Sequence, residues 1–198
     1  MIFRHDDVSP STDFDKLEKI HDFLVGSFPS CEIWSCVNIF GKKNSIGAVY
    51  PDLPLRAKPT RYFYDADLLL DQKRIYSLAA RKNEQIASHG LIHAVHSQMN
   101  REEQEFSILT SCNLLNTKVF VPPFNDFNGI TEAVCAENGI RMTKPADGWK
   151  SIESTPFNPD HKVWFFHSWR YKTAEEFIDS VTTSRPIAEK GDGWWLKK

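Results

Sequence analysis

At 198 residues, with 41% hydrophobic and 25% charged residues, the chain has the length and mix of one globular domain, which excludes a disordered chain and one too small to bury its own core. A formal net charge of -2 gives no basic surface for nucleic acid or an anionic membrane. No stretch approaches the roughly 18 apolar residues of a membrane span, and the opening Met1-Ile2-Phe3-Arg4-His5-Asp6-Asp7-Val8 lacks the apolar run of a signal peptide; the expectation is one cytoplasmic domain over residues 1–198.

The first strand is expected early, over Ile2 to Arg4, ending in the acidic pair Asp6-Asp7. Ser9-Pro10-Ser11-Thr12-Asp13 supplies capping side chains, and Phe14, Leu17, Ile20, His21, Leu24 and Val25 then recur at helical spacing. Ser30 to Phe40 reads as a strand through Ile33, Trp34, Val37 and Ile39. Residues 41–64 carry Gly41, Gly47, Pro51, Pro54 and Pro59 and read as a long surface excursion, a kind of loop that often serves function. A helix is predicted over Leu68–Lys82, a strand over Glu84–Ser88, a His-rich segment over 89–96, a helix over Glu102–Asn116 and a strand over Lys118–Val121. Asn128–Asn138 reads as a helix closed by Gly139. Short strands at Ile140–Thr143 and Lys162–Phe166 and a helix at Thr173–Thr183 complete the pattern. This alternation predicts an α/β domain with a mostly parallel sheet, whose functional residues gather at the carboxyl ends of the strands. Asp6-Asp7, His89, Pro122-Pro123 and His167 all fall at such ends.

Cys31, Cys36, Cys112 and Cys135 contain no C-x-x-C pair, which argues against a thiolate zinc site or a redox dithiol. Cys31 and Cys36 lie five apart on one strand and face opposite ways, so all four read as small buried residues in a reducing compartment. Aromatic residues reach 13%, six of them Trp. Core packing accounts for most, with some left to stack on sugar rings.

Three signals carry chemistry. In His89-Gly90-Leu91-Ile92-His93, a helical start would place the two imidazoles on one face, near enough to share a metal ion; His96 allows a His93–His96 pair instead. Of the adjacent carboxylates Asp6 and Asp7, one would be a metal ligand and the other a general base, since a bound cation permits both to ionise. The bland alternative is a solvated turn. Two His and one carboxylate leave open positions for water. Non-haem iron oxygenases share that ligand set but carry H-x-[DE] on an all-β scaffold, and this chain has no such pair. The third signal is His167, at the end of the apolar run Val163–Phe166, a structural residue or a proton donor.

Taken in order, these segments resemble the motifs of the NodB-type polysaccharide deacetylases, carbohydrate esterase family four. The strand ending T-F-D-D-G is similar to Arg4-His5-Asp6-Asp7-Val8, and H-[ST]-x-x-H to His89–His93 after Ile86-Ala87-Ser88. R-x-P-[YFW] is similar to Val121-Pro122-Pro123-Phe124, an Asp/Trp element to Asp147-Gly148-Trp149, and L-x-H to Phe165-Phe166-His167. The resemblance implies an irregular (β/α) barrel and a metal-dependent hydrolase removing an N-acyl group, acetyl foremost, from an N-acetylated sugar or polysaccharide. The alternatives are an amidase on a non-sugar C–N substrate and a catalytically inactive carbohydrate-binding member. It implies Asp7, His89 and His93 as ligands of a divalent metal, zinc foremost, Asp6 as general base and His167 as general acid. Pro123, Phe124, Trp149 and Trp169 would wall the pocket for a carbohydrate substrate. Three departures stand out: Val8 replaces the glycine after the Asp pair, Gly90 the Ser/Thr of the second motif, and Val121 the third motif's arginine, for which Arg4, Arg141 or Arg170 would have to substitute.

Overall fold

The computed structural model describes residues 1–41, 68–69, 71–144 and 148–185. The excursion expected over 41–64 lies outside the described residues except for Gly41, and so does Asp147. The strands are β1 (Ile2–Val8), β2 (Glu32–Val37), β3 (Phe40–Gly41), β4 (Leu68–Leu69), β5 (Glu84–Ser88), β6 (Val119–Phe120), β7 (Arg141–Met142), β8 (Trp149–Ser151) and β9 (Val163–Phe166). Seven of them form one sheet in the order β7-β6-β5-β2-β1-β9-β8, and every neighbouring pair is parallel. β3 and β4 form a separate antiparallel ribbon. The sheet curls into a half-barrel, and Arg141 of β7 and Trp149 of β8, its outer strands, line one cavity together with Ile2, Arg4 and Trp34.

Period-two alternation sorts the strand residues between helices and lumen. From β1, Phe3 enters the main core with Ile33, Trp164 and Phe166 and with Ile20, Leu24, Phe177 and Val181 from two helices. Its neighbour Arg4 points into the lumen, where Trp34, Cys36, Ala87, Val119 and Val121 form the apolar lining. The helices are α1 (Phe14–Ser27), α2 (Gln72–Ala79), α3 (Arg101–Leu114), α4 (Gly129–Glu137) and α5 (Ala174–Thr182). Each starts at a side-chain cap: Asp13, Asp71, Asn100, Asn128 and Thr173. A second apolar cluster joins α1 and α2 to β2, and a third packs α3 and α4 on Phe120.

Four local expectations are revised. β1 runs on to Val8. The run 30–40 is interrupted at Asn38, whose amide donates to the His89 carbonyl at 2.5 Å. The helix predicted from Leu68 begins at Gln72, because the Asp71 carboxylate caps Lys73 N–H and Leu68–Leu69 pair with Phe40–Gly41. β8 was not foreseen, since three residues carry no period. All four cysteines are free and buried, and no helix among the described residues is long and apolar enough to cross a membrane.

Candidate active site

The site forms where β1 stops being regular. The β1–β2 register shifts between His5 and Val8, and Asp7 has φ +62°, a left-handed conformation that costs a non-glycine residue about 1–3 kcal/mol. Bulges re-aim side chains, and here the two carboxylates find separate partners at one strand end. Both are buried.

Asp7 Oδ1 lies 2.8 Å from His93 Nε2 and 3.3 Å from His89 Nε2. The two imidazoles do not meet through a helical turn, as the spacing suggested. Residues 89–95 are non-helical, and Gly90 at φ +85° reverses the chain directly after β5. A Cβ on Gly90 would come within 3.1 Å of the Ile92 carbonyl and of His96 Cε1, which explains the departure from the Ser/Thr of the family motif. Two serine hydroxyls hold the turn: Gly90 N–H donates to Ser88 Oγ at 3.2 Å, and Leu91 N–H to Ser107 Oγ at 3.3 Å. His96 does not join the cluster. Its Nδ1 faces the Ala94 carbonyl at 3.0 Å and its Nε2 faces Ser107 Oγ at 3.2 Å, and burial lowers its pKa to about 4.

Asp6 faces the lumen and is held by Arg4. Arg4 Nε donates to Oδ1 at 2.8 Å and Nη2 to Oδ2 at 2.7 Å, a bidentate pair. Arg4 is 1% exposed. Its Nη2 also donates to Asn125 Oδ1 at 2.8 Å, and its guanidinium lies 4.4 Å from the Trp149 ring and 5.1 Å from the Phe165 ring. Of the three arginines that could replace the one absent at Val121, Arg4 is therefore the one that braces Asp6. Arg141 lies over Trp34 at 4.9 Å and Arg170 over Trp169 at 5.1 Å.

His167 follows β9. Its Nδ1 lies 2.8 Å from Glu153 Oε1, which also accepts its backbone N–H at 2.7 Å. Burial opposes the charged imidazolium, but the charge and hydrogen bond of Glu153 prevail and raise its pKa to about 9. Its Nε2 stands 3.8 Å from Asp7 Oδ2. Sequence reasoning missed Glu153: a lone acid outside any motif carries no signal until β8 sets it beside β9. Trp169, expected as a wall, donates its indole N–H to Asp7 Oδ2 at 3.1 Å. Phe124, at φ +57° and 42% exposed, sets its ring 4.2 Å from that of His93, after the buried Pro123. Trp149 lies apart from these, against Arg4 and lining the lumen cavity.

Asp7, His89 and His93 fit a divalent cation. One ligand atom from each lies within 4.8 Å of the others, and bonds of about 2.0–2.1 Å to a tetrahedral ion separate ligand atoms by about 3.3 Å. Among the described residues, Asp7 Oδ1 has no well-directed hydrogen bond despite its burial. Burial alone would raise the Asp7 pKa, yet the surrounding histidines, His93 first, hold it well below the usual carboxylate range. Burial likewise lowers the pKa of His93, favouring the neutral imidazole that binds metal. The Val121 carbonyl accepts from His89 Nδ1 at 2.6 Å, which leaves Nε2, 3.3 Å from Asp7 Oδ1, as the nitrogen that could ligate a metal.

No protein-family model matches the sequence, and no curated protein matches it. Solved structures do match, and they show the fold: the chain folds like the family 4 carbohydrate esterases, as a deacetylase-type half-barrel. A CE4 family pseudoenzyme from Bacillus anthracis matches with a TM-score of 0.59 and 10% identity, over 93% of this chain and 60% of its own. A family 4 carbohydrate esterase from Streptomyces lividans, in complex with acetate, matches at 0.57 and 10%, over 92% of this chain and 85% of its own. The peptidoglycan deacetylase PdaC from Bacillus subtilis matches at 0.57 and 10%, over 92% and 81%. This chain thus spans less than two thirds of the Bacillus anthracis protein and most of the other two.

Proposed function

We propose that this chain is a divalent-metal-dependent hydrolase, with zinc as the metal, that removes the acetyl group from the nitrogen of an N-acetylated sugar. The observation that carries the reading is the meeting of Asp7, His89 and His93 beside two further titratable groups, Asp6 and His167, each held by its own partner. A bound divalent cation supplies Lewis acidity, polarising the acyl carbonyl and making water a better nucleophile near neutral pH. Asp6 accepts the proton of the attacking water; the Arg4 fork fixes its orientation. A C–O bond forms at the acyl carbon and the C–N bond breaks. His167, with Nδ1 turned to Glu153, delivers a proton from Nε2 to the departing nitrogen, so that acetate and a free amine result. Phe124 and Trp169 offer apolar faces beside the cluster for the acyl group and sugar ring, over the buried Pro123. Trp149 acts behind Arg4, supporting the base from the lumen side. The shared fold with a carbohydrate esterase that holds acetate and with a peptidoglycan deacetylase supports the choice of reaction class.

The test is metal content followed by turnover. Wild-type protein is expected to carry one equivalent of zinc or another first-row metal and to release acetate from N-acetylated oligosaccharides. His93→Ala should lose the metal, and Asp6→Asn should keep it while losing about 100-fold or more in kcat. Release from small amides or acylated peptides alone would assign a non-sugar amidase. Metal with sugar binding and no hydrolysis would assign an inactive member. Wild type that neither carries nor takes up zinc would refute the reading.

A further inference from the structure

Behind the site, on the helix side of the sheet, runs a second polar chain that the reaction above does not use. His5, between Arg4 and Asp6, turns away from the lumen, and its Nδ1 lies 3.0 Å from His21 Nε2 of α1. His21 Nδ1 lies 2.6 Å from Glu84 Oε1 at the start of β5. At the other end, Ser168 N–H donates to His5 Nε2 at 3.3 Å. His5 and His21 are 1% and 0% exposed, and the Glu84 side chain is fully buried. Arg81 Nε stands 3.4 Å from the same Glu84 oxygen.

One fixed donor orders the whole chain. A backbone N–H can only donate, so His5 Nε2 must be the acceptor and the His5 proton sits on Nδ1. His21 Nε2 must then accept, and its proton sits on Nδ1, aimed at the Glu84 carboxylate. The β1–β9 pairing ends at His5–Phe166, because β1 bulges immediately afterwards. Ser168 N–H therefore lies beyond the ladder, and a side chain replaces the strand as its acceptor. That amide opens the turn Ser168–Arg170, closed by Arg170 N–H to the His167 carbonyl at 3.1 Å. His167 and Trp169 flank it, and both face Asp7.

We propose that His5, His21 and Glu84 form a one-way hydrogen-bond relay that anchors the 168–170 turn and thereby aims His167 and Trp169 at the site; His5 is a positioning residue for the reaction. The proposal rests on the hydrolase reading for its kinetic consequence alone. His5→Phe keeps a ring stacked on Phe166, which His5 meets at 4.6 Å, and removes both hydrogen bonds. Its expected effect is a loss of about ten- to a hundred-fold in kcat with KM within about twofold and metal content unchanged. His5→Gln places an acceptor where Nε2 was and should recover most of the loss. His5→Asn mimics only the Nδ1 side and should not.

Two readouts need no turnover. In the wild-type protein, 15N spectra of the imidazoles should show the Nδ1–H tautomer at both His5 and His21. Amide exchange at Ser168 and Trp169 should be faster in His5→Phe than in wild type, and slow again in His5→Gln. An Nε2–H tautomer at either histidine, unchanged exchange in His5→Phe, or equal behaviour of the Gln and Asn variants would overturn the relay. A wild type inactive on every acylated sugar would defeat the hydrolase reading, while tautomers and exchange would still decide the anchoring.

Discussion

Glu153→Gln isolates one charge at the site. The substitution keeps an oxygen that accepts from His167 N–H and Nδ1–H, and it removes the negative charge that raises His167 from its ordinary 6.5 to about 9. Glu153 is the largest of the influences that raise this pKa against burial, and the two side chains are 6% and 18% exposed. A rise of that size corresponds to about 3 kcal/mol of preference for the imidazolium in the folded chain. Because the folded value lies above the unfolded one, this stabilisation is complete below pH 6.5, declines as the pH climbs, and is gone above about 9. Without the carboxylate, burial pulls the His167 pKa back down, opposed only by the lesser influences of Asp7 and Asp6. Urea unfolding of the metal-free proteins is the assay. The gap between wild type and Glu153→Gln should be larger at pH 6 than at pH 10 by up to about 3 kcal/mol, because losses that do not depend on His167 protonation cancel in that comparison. In parallel, the His167 ring should titrate near 9 in metal-free wild type and clearly lower in the variant. A stability gap that stays constant from pH 6 to pH 10 would refute the assignment of Glu153 as the group that charges His167.

The remaining predictions concern the supports of the site. Arg4→Met leaves Asp6 buried without its cation and should cost about 3–5 kcal/mol in thermal or urea unfolding; Arg4→Lys should recover little of it, since a point charge cannot reproduce the fork. Gly90→Ala forces a side chain into a left-handed conformation with contacts at 3.1 Å, so a destabilisation of more than about 1 kcal/mol is expected in unfolding, together with weaker zinc uptake by competition with a chelator. Trp169→Phe removes the indole N–H that holds Asp7 Oδ2 and should weaken metal affinity about 10- to 100-fold. Unchanged affinity there would show that Asp7 is oriented without it.

The alternation of strands and helices was legible from local properties: apolar spacing along α1, the capping side chains that lead to Asp13, the Gly139 that closes α4, and charged or imidazole residues directly after short apolar runs. These signals live within a few residues of one another and survive any change elsewhere in the chain. The order of motifs from Asp6-Asp7 to His167 was readable for the same reason, since a parallel sheet brings all its strand ends to one edge. What braces those residues was decided only by tertiary structure. Arg4, Arg141 and Arg170 are equivalent in sequence as replacements for the arginine absent at Val121. The pleat turns Arg4 into the lumen beside Asp6, while Arg141 and Arg170 are laid over tryptophans. His89–His93, four apart, and His93–His96, three apart, are both candidate pairs until the left-handed turn at Gly90 leaves His93 facing Asp7 and His96 facing Ser107. Glu153 meets His167 because β8 pairs with β9, a contact no local pattern encodes. Pairings of this kind depend on which strands become neighbours and which way each side chain faces, and those are properties of the assembled sheet.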